Sequence, residues 1–140
     1  MHVSEIDTPA LVIDLDVMER NLNRVAGYAK AHGLRLRPHT KTHKSPLVGR
    51  MQLDAGAVGL TVAKVGEAEV MLGSGTPDLL LHYPVLGRAK LERLMAVARK
   101  ARLTVALDSV AAAGQLSEAA REAQVEVGVL TEADVGLNRV

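Results

Sequence analysis

Short apolar runs and helix-length amphipathic stretches take turns along this chain from one end to the other, and that rhythm restricts the fold more than any single residue does. Residues 10–14, 34–41, 58–63, 78–83, 103–107 and 125–132 have the length and the Leu, Val and Ile content of strands. Between them, residues 17–32, 45–55, 64–72, 88–100 and 109–123 read as helices. The first helix has Asp14 and Asp16 to cap it and Gly33 to stop it; the second opens on Ser45-Pro46 and closes at Gly56. A strand–helix–strand order implies parallel neighbours, because parallel strands need a crossover of a dozen or so residues. Two architectures satisfy it, a doubly wound open sheet and a (β/α) barrel. Gly73-Ser74-Gly75 follows a helix and precedes a strand, the reverse of the dinucleotide-binding order, so it reads as a helix C-cap and turn.

Composition narrows the class. With two Tyr and no Phe or Trp, the core must be filled by Leu, Val, Ile, Met and Ala, which suits layered α/β packing. The same lack removes the aromatic platforms on which nucleic-acid modules stack bases. Seventeen basic and 16 acidic residues leave a net charge of +1, too little to recruit nucleic acid or an anionic membrane. There is no cysteine, so neither a disulfide framework nor a thiolate zinc site can form. The N-terminus lacks a cationic stretch followed by an apolar one, and no apolar run approaches the roughly 18 residues that span a bilayer. The expectation is one soluble, cytoplasmic domain with no nucleic-acid or membrane partner.

One strand is unusual. Alternation along 34–41 puts Arg35, Arg37, His39 and Lys41 on one face and Leu34, Leu36, Pro38 and Thr40 on the other. A lysine at the end of such a strand, crowded by other cations, is the kind that sheds its proton and attacks an aldehyde. The alternative is an edge strand whose polar face meets water.

With Arg37-Pro38-His39-Thr40-Lys41-Thr42-His43-Lys44 on the second strand, the chain resembles the fold-type III pyridoxal-phosphate enzymes, within them the D-threonine aldolase and D-serine dehydratase group related to the alanine racemase N-terminal barrel. Further segments support this in order: Thr8-Pro9-Ala10-Leu11-Val12-Ile13-Asp14-Leu15-Asp16, then the stretch from Thr61 to Glu69, then Tyr83-Pro84-Val85, then Ala133-Asp134-Val135-Gly136-Leu137-Asn138-Arg139. The resemblance implies an α/β fold of the partial (β/α)8 type: a leading strand plus about five barrel strands, residues 1–140 forming the N-terminal part of a cofactor-binding barrel. A complete barrel takes about 250 residues. The remaining barrel strands and a C-terminal β-domain are therefore expected to be absent, and the chain to be a fragment.

By this resemblance Lys41 is the Schiff-base lysine for pyridoxal 5'-phosphate; Lys44, its rival, falls beyond the strand at the start of the next helix. Arg139 corresponds to the arginine beside the cofactor's phenolic oxygen, where the alternative is a surface arginine on a loop. His39 shares the Lys41 face, beneath the cofactor or as a structural histidine, and Tyr83 ends a strand at the same mouth, lining the pocket or standing with its hydroxyl in water. Thr61 and Ala63 are small inward residues that leave room for a ligand. Gly136 and Asn138 shape a turn, Glu67 and Glu69 read as helix-surface charges, and Asp108-Ser109 as a strand end and helix cap. His39 and His43 are four apart but lack the Glu of His-Glu-x-x-His, so no metal ligand is assigned. The implied activity is a lyase on D-β-hydroxy amino acids. A D-threonine aldolase-like retro-aldol cleavage ranks first, with a D-serine or D-3-hydroxyaspartate dehydratase, or an inactive pyridoxal-phosphate-binding remnant, as alternatives. The family also implies a divalent metal (Mn, Mg or Zn), with ligands in later segments, and a possible homodimer.

Overall fold

The computed structural model describes residues 2–138. After a 3-10 turn at Val3–Glu5 come α1 (Leu15–Ala31), α2 (Pro46–Asp54), β1 (Leu60–Val62), α3 (Val65–Met71), β2 (Asp78–Leu81), α4 (Arg88–Ala98), β3 (Arg102–Leu107), α5 (Val110–Ala123) and β4 (Gly128–Thr131). The strands form one parallel sheet in the order β1-β2-β3-β4, as the alternating sequence requires. No helix of the described residues is long and apolar enough to cross a membrane.

Local chemistry fixes the helix ends. Asp14 accepts from the Val17 N–H at 3.0 Å and Ser109 from the Ala112 N–H at 3.3 Å, while Ser45 caps α2 with Pro46 in its first turn, where a missing N–H costs nothing. Gly75, at φ 75°, ends the turn after α3 in the left-handed region, in keeping with the C-cap reading of 73–75.

Alternation along the strands sorts the residues into two faces. Leu60, Val62, Leu79, Leu81, Leu103 and Val105 are at most 1% exposed and pack against Met71, Leu91, Leu94, Met95 and Leu116 of the helices. Helix α2 approaches this face so closely that a Cβ on Gly49 would lie 3.1 Å from Leu60 Cδ1. The groove beside α1 is floored by Leu36 and Pro38 of the preceding strand-like segment, on the same side of the sheet. All five helices thus cover one face. A doubly wound sheet has helices on both, so the arrangement is that of part of a (β/α) barrel.

Two expected strands differ. Residues 10–14 form no strand, and Leu11, Val12 and Ile13 are exposed; an extended segment gains ladder bonds only beside a paired edge. Residues 34–41 are joined to β1 by one parallel bridge, His39↔Thr61, with bonds from Thr61 N to Pro38 O, Thr40 N to Thr61 O and Val58 N to Leu36 O. Proline has no N–H to donate, so the ladder is interrupted at residue 38. The first of the five expected barrel strands is therefore present as a bridged extended segment beside a four-stranded sheet.

Candidate active site

Backbone register decides which side chains meet on the uncovered face. The bridge His39↔Thr61 continues through Thr61↔Leu80, Leu80↔Thr104 and Thr104↔Gly128 as one row across five segments. Two residues further along each strand, on the same face, the alternation brings Lys41, Ala63, His82, Ala106 and Leu130 into a second row nearer the C-terminal ends. One row toward the other end lie Arg37 and Asp78, with Arg37 Nη2 2.9 Å from Asp78 Oδ1, an ion pair without hydrogen-bond alignment. The face thus grades from a closed ion pair, through Thr61 and Thr104, to an open rim carrying an amine, imidazoles and carboxylates.

Lys41 is exposed and begins the turn that the Lys44 N–H closes on Thr40 O at 2.9 Å. The residue before it is anchored: Thr40 is fully buried, and its Oγ1 donates to Thr61 O at 3.1 Å. The Lys41 N–H donates to His39 Nδ1 at 3.3 Å, which leaves the proton of a neutral His39 on Nε2. Lys41 therefore presents an accessible amine next to a buried, hydrogen-bonded residue, at the C-terminal strand ends where parallel barrels carry out chemistry. Lys44 is engaged instead with Glu67, Nζ to Oε1 at 3.4 Å, and sits in the left-handed region at φ 51°.

Glu67 was expected on a helix surface; its side chain is only 11% exposed. Its Oε2 accepts from the Ala63 N–H at 2.8 Å, so it caps the strand-to-helix turn beside the rim. Burial pushes its carboxyl upward, but the Ala63 amide, the Lys44 ammonium and the His39 ring outweigh that and hold it below the ordinary glutamate value. Glu69 does lie on the surface, paired with Arg93.

Tyr83 lies past the end of β2 and is 60% exposed, at the rim; the residue that stays on the ladder is His82, whose N–H donates to Val62 O at 2.9 Å. His82 Nε2 is 3.7 Å from Glu132 Oε1, and its ring meets His39 edge-on at 6.4 Å between centroids. Neither His82 nor Glu132 belongs to a recognisable motif; continuing the period-2 alternation from Leu80 and Leu130 is the signal that finds them. His43 serves its own turn: its Nδ1 accepts from the Ser45 N–H at 3.1 Å, while its buried Nε2 has no hydrogen-bond partner among the described residues. Among the described residues, no three His, Asp or Glu side chains are grouped so as to hold a metal ion. Arg139 lies outside the described residues. The turn before it is shaped by Asp134 Oδ1, which accepts from the N–H groups of Gly136 at 2.7 Å and Leu137 at 2.9 Å.

With the partial barrel and this rim in place, comparison with known proteins gives a consistent result. Residues 13–140 match the family model described as alanine racemase, N-terminal domain. The chain belongs to that family. It is 42% identical over 141 residues to a 3-hydroxy-D-aspartate aldolase of Paracoccus denitrificans (strain Pd 1222), covering 99% of this chain and 36% of the relative. A D-threonine aldolase of Arthrobacter sp. is 39% identical over 137 residues, covering 98% and 36%. Among solved structures, a D-threonine aldolase from Filomicrobium marinum superposes with a TM-score of 0.95 at 44% identity, covering 99% of this chain and 37% of that one. A D-threo-3-hydroxyaspartate dehydratase from Delftia sp. HT23 superposes with a TM-score of 0.80 at 38% identity, covering 96% and 37%. The chain thus spans just over a third of the length of the relatives it matches.

Proposed function

We propose that this chain is the N-terminal, cofactor-carrying part of a pyridoxal-phosphate-dependent lyase acting on D-configured β-hydroxy amino acids, with Lys41 as the residue that holds the cofactor. The observation that carries the reading is Lys41 itself: an exposed primary amine on a buried anchor, at the C-terminal rim of a parallel half-barrel. The similar proteins are named for 3-hydroxy-D-aspartate, D-threonine and D-threo-3-hydroxyaspartate, all amino acids with a hydroxyl on the carbon next to Cα.

The residues present fit an aldehyde-bearing flat ring. Lys41 supplies the nucleophile, and the small side chain of half-buried Ala63, next to it on the row, leaves space beside that amine. When bound, pyridoxal phosphate supplies the electron sink for the bond broken at Cα. Lys41 would be the residue that holds the cofactor, and its Nζ, when not so engaged, would be placed to take or return a proton. His39, one row beneath, holds the peptide N–H of Lys41 and so fixes where that amine starts. Arg139 and Tyr83 belong to the proposal as cofactor contacts, Arg139 by placing a fixed positive charge near the phenolic oxygen. The divalent metal implied by the family resemblance has no candidate ligand group among the described residues, and no residue is assigned to it. The domain assignment of 1–140, a homodimer and a cytoplasmic location belong to the same proposal.

Incubating the protein with pyridoxal phosphate should give an absorbance band at the edge of the visible, which borohydride fixes onto Lys41 in a peptide mass map. Equal labelling of Lys41→Ala would overturn the assignment. Product analysis of the whole enzyme then separates the two reactions: glycine and acetaldehyde from D-threonine indicate Cα–Cβ cleavage, whereas an α-keto acid and ammonia from D-serine or D-3-hydroxyaspartate indicate loss of the β-hydroxyl.

A further inference from the structure

His82 and Glu132 have no task in the reading above, yet both are built firmly into the sheet. Each lies one residue past its strand with its backbone still on the ladder: His82 N donates to Val62 O at 2.9 Å, and Glu132 N donates to Leu107 O at 2.8 Å. Their side chains cross β3 to meet, Nε2 to Oε1 at 3.7 Å, and they can do so because Ala106, next to Leu130 in the register, carries only a methyl group between them. The Glu132 carboxylate is thus the acidic group facing the His82 ring. Both side chains keep some exposure, 36% for His82 and 20% for Glu132, so the pair faces the rim and is not sealed into the core.

On the other side of His82 the row continues through Ala63 to Lys41. Residues on one row and two strands apart are separated by about 10 Å at the ordinary strand spacing. A lysine side chain bearing a six-membered ring covers that span. His39 closes the lower side of the gap, its ring edge-on to His82. Lys44 and Glu67 are occupied with each other, and Glu67 also with the Ala63 amide.

We propose that His82, oriented by Glu132, is a further cofactor-contacting residue: its imidazole meets the ring borne by Lys41, with Ala63 as the floor between them. This rests on the reading that Lys41 holds pyridoxal phosphate. A purely structural pair would tie β2 to β4 and be indifferent to the cofactor.

The test follows the imidazole resonances of His2, His32, His39, His43 and His82 by NMR while pyridoxal phosphate is added, with borohydride fixation run in parallel. The His82 and His39 signals should move, while those of His2 and His32, near the N-terminus and at the end of α1, stay in place. His82→Gln should weaken cofactor binding roughly tenfold, the loss of about one favourable polar contact. Glu132→Gln should weaken it by less. Both variants should keep Lys41 as the labelled residue at saturating cofactor and stay within a few degrees of the parent melting temperature. If Lys41 labels but the His82 signal is unmoved and His82→Gln binds as tightly as the parent, the inference fails and the Lys41 assignment stands. Should His82→Gln lower the melting temperature with affinity unchanged, the pair is structural and the inference is again overturned. Absence of label on Lys41 in the parent removes both.

Discussion

The two faces of the same sheet are built from alternate residues of the same strands, yet they obey different rules. On the helix side, Leu60, Val62, Leu79, Leu81, Leu103 and Val105 are shut away from water, and neighbouring side chains determine each choice. On the other side, Arg37, His39, Lys41, Asp78 and His82 occupy the rows that a single packed sheet would fill with apolar residues. The first face accounts for why the chain folds. The second has no comparable explanation from packing, and polar groups gathered at strand ends are what a site needs.

The contrast can be broken most severely from the packed side. Leu79→Ala should cost about 2–5 kcal/mol in urea unfolding, since the site cannot collapse around the lost atoms; a loss under about 1 kcal/mol would mean that the face is looser than it looks. Gly59→Ala should come next, near 1–3 kcal/mol, because a Cβ there would sit 2.6 Å from the Asp78 carbonyl oxygen. That clash is against backbone, so it should also disturb the Arg37–Asp78 contact.

Glu67 allows a finer cut, through pH. Its carboxyl is held below its ordinary value in the folded state, so its contribution is fully present above the unfolded glutamate pKa and fades as pH falls through the lower folded value. Glu67→Gln should therefore be less stable than the parent at neutral pH, with the gap closing in acid. A gap independent of pH would mean that the ionised form is not what holds the turn. Lys41→Ala should be the mildest for stability, within about 0.5 kcal/mol as for other exposed sites, while abolishing the borohydride label. A large stability loss there would make Lys41 a structural lysine and erase the difference between the faces.

The packed face was the more legible in the sequence. Apolar runs, Ser45-Pro46, Asp14 and Ser109 each act through their nearest neighbours along the chain, so their effect can be read locally. The open face depends on register, which is a relation between strands. Nothing near Glu132 in sequence announces that it meets His82 fifty residues earlier, and Tyr83, expected at the mouth as the end of its strand, lies one residue past His82, the last residue on the ladder. Glu67 looked like a solvated charge for the same reason: its partners, the Ala63 amide and Lys44, become visible only once the turn between β1 and α3 is formed. The expected leading strand failed on the opposite count, since residues 10–14 have a strand's composition but lack a neighbour to complete it.

Pro38 carries a last consequence. By withholding a donor three residues before Lys41, it leaves the lysine-bearing segment tied to β1 by a few bonds around Thr61, whereas β2 and β3 share a continuous ladder. Local opening should therefore cost this segment less than it costs the sheet beside it, and its amides should trade protons with solvent sooner. A backbone that can part briefly from its neighbour without unfolding the rest is one on which a side chain can be loaded and released.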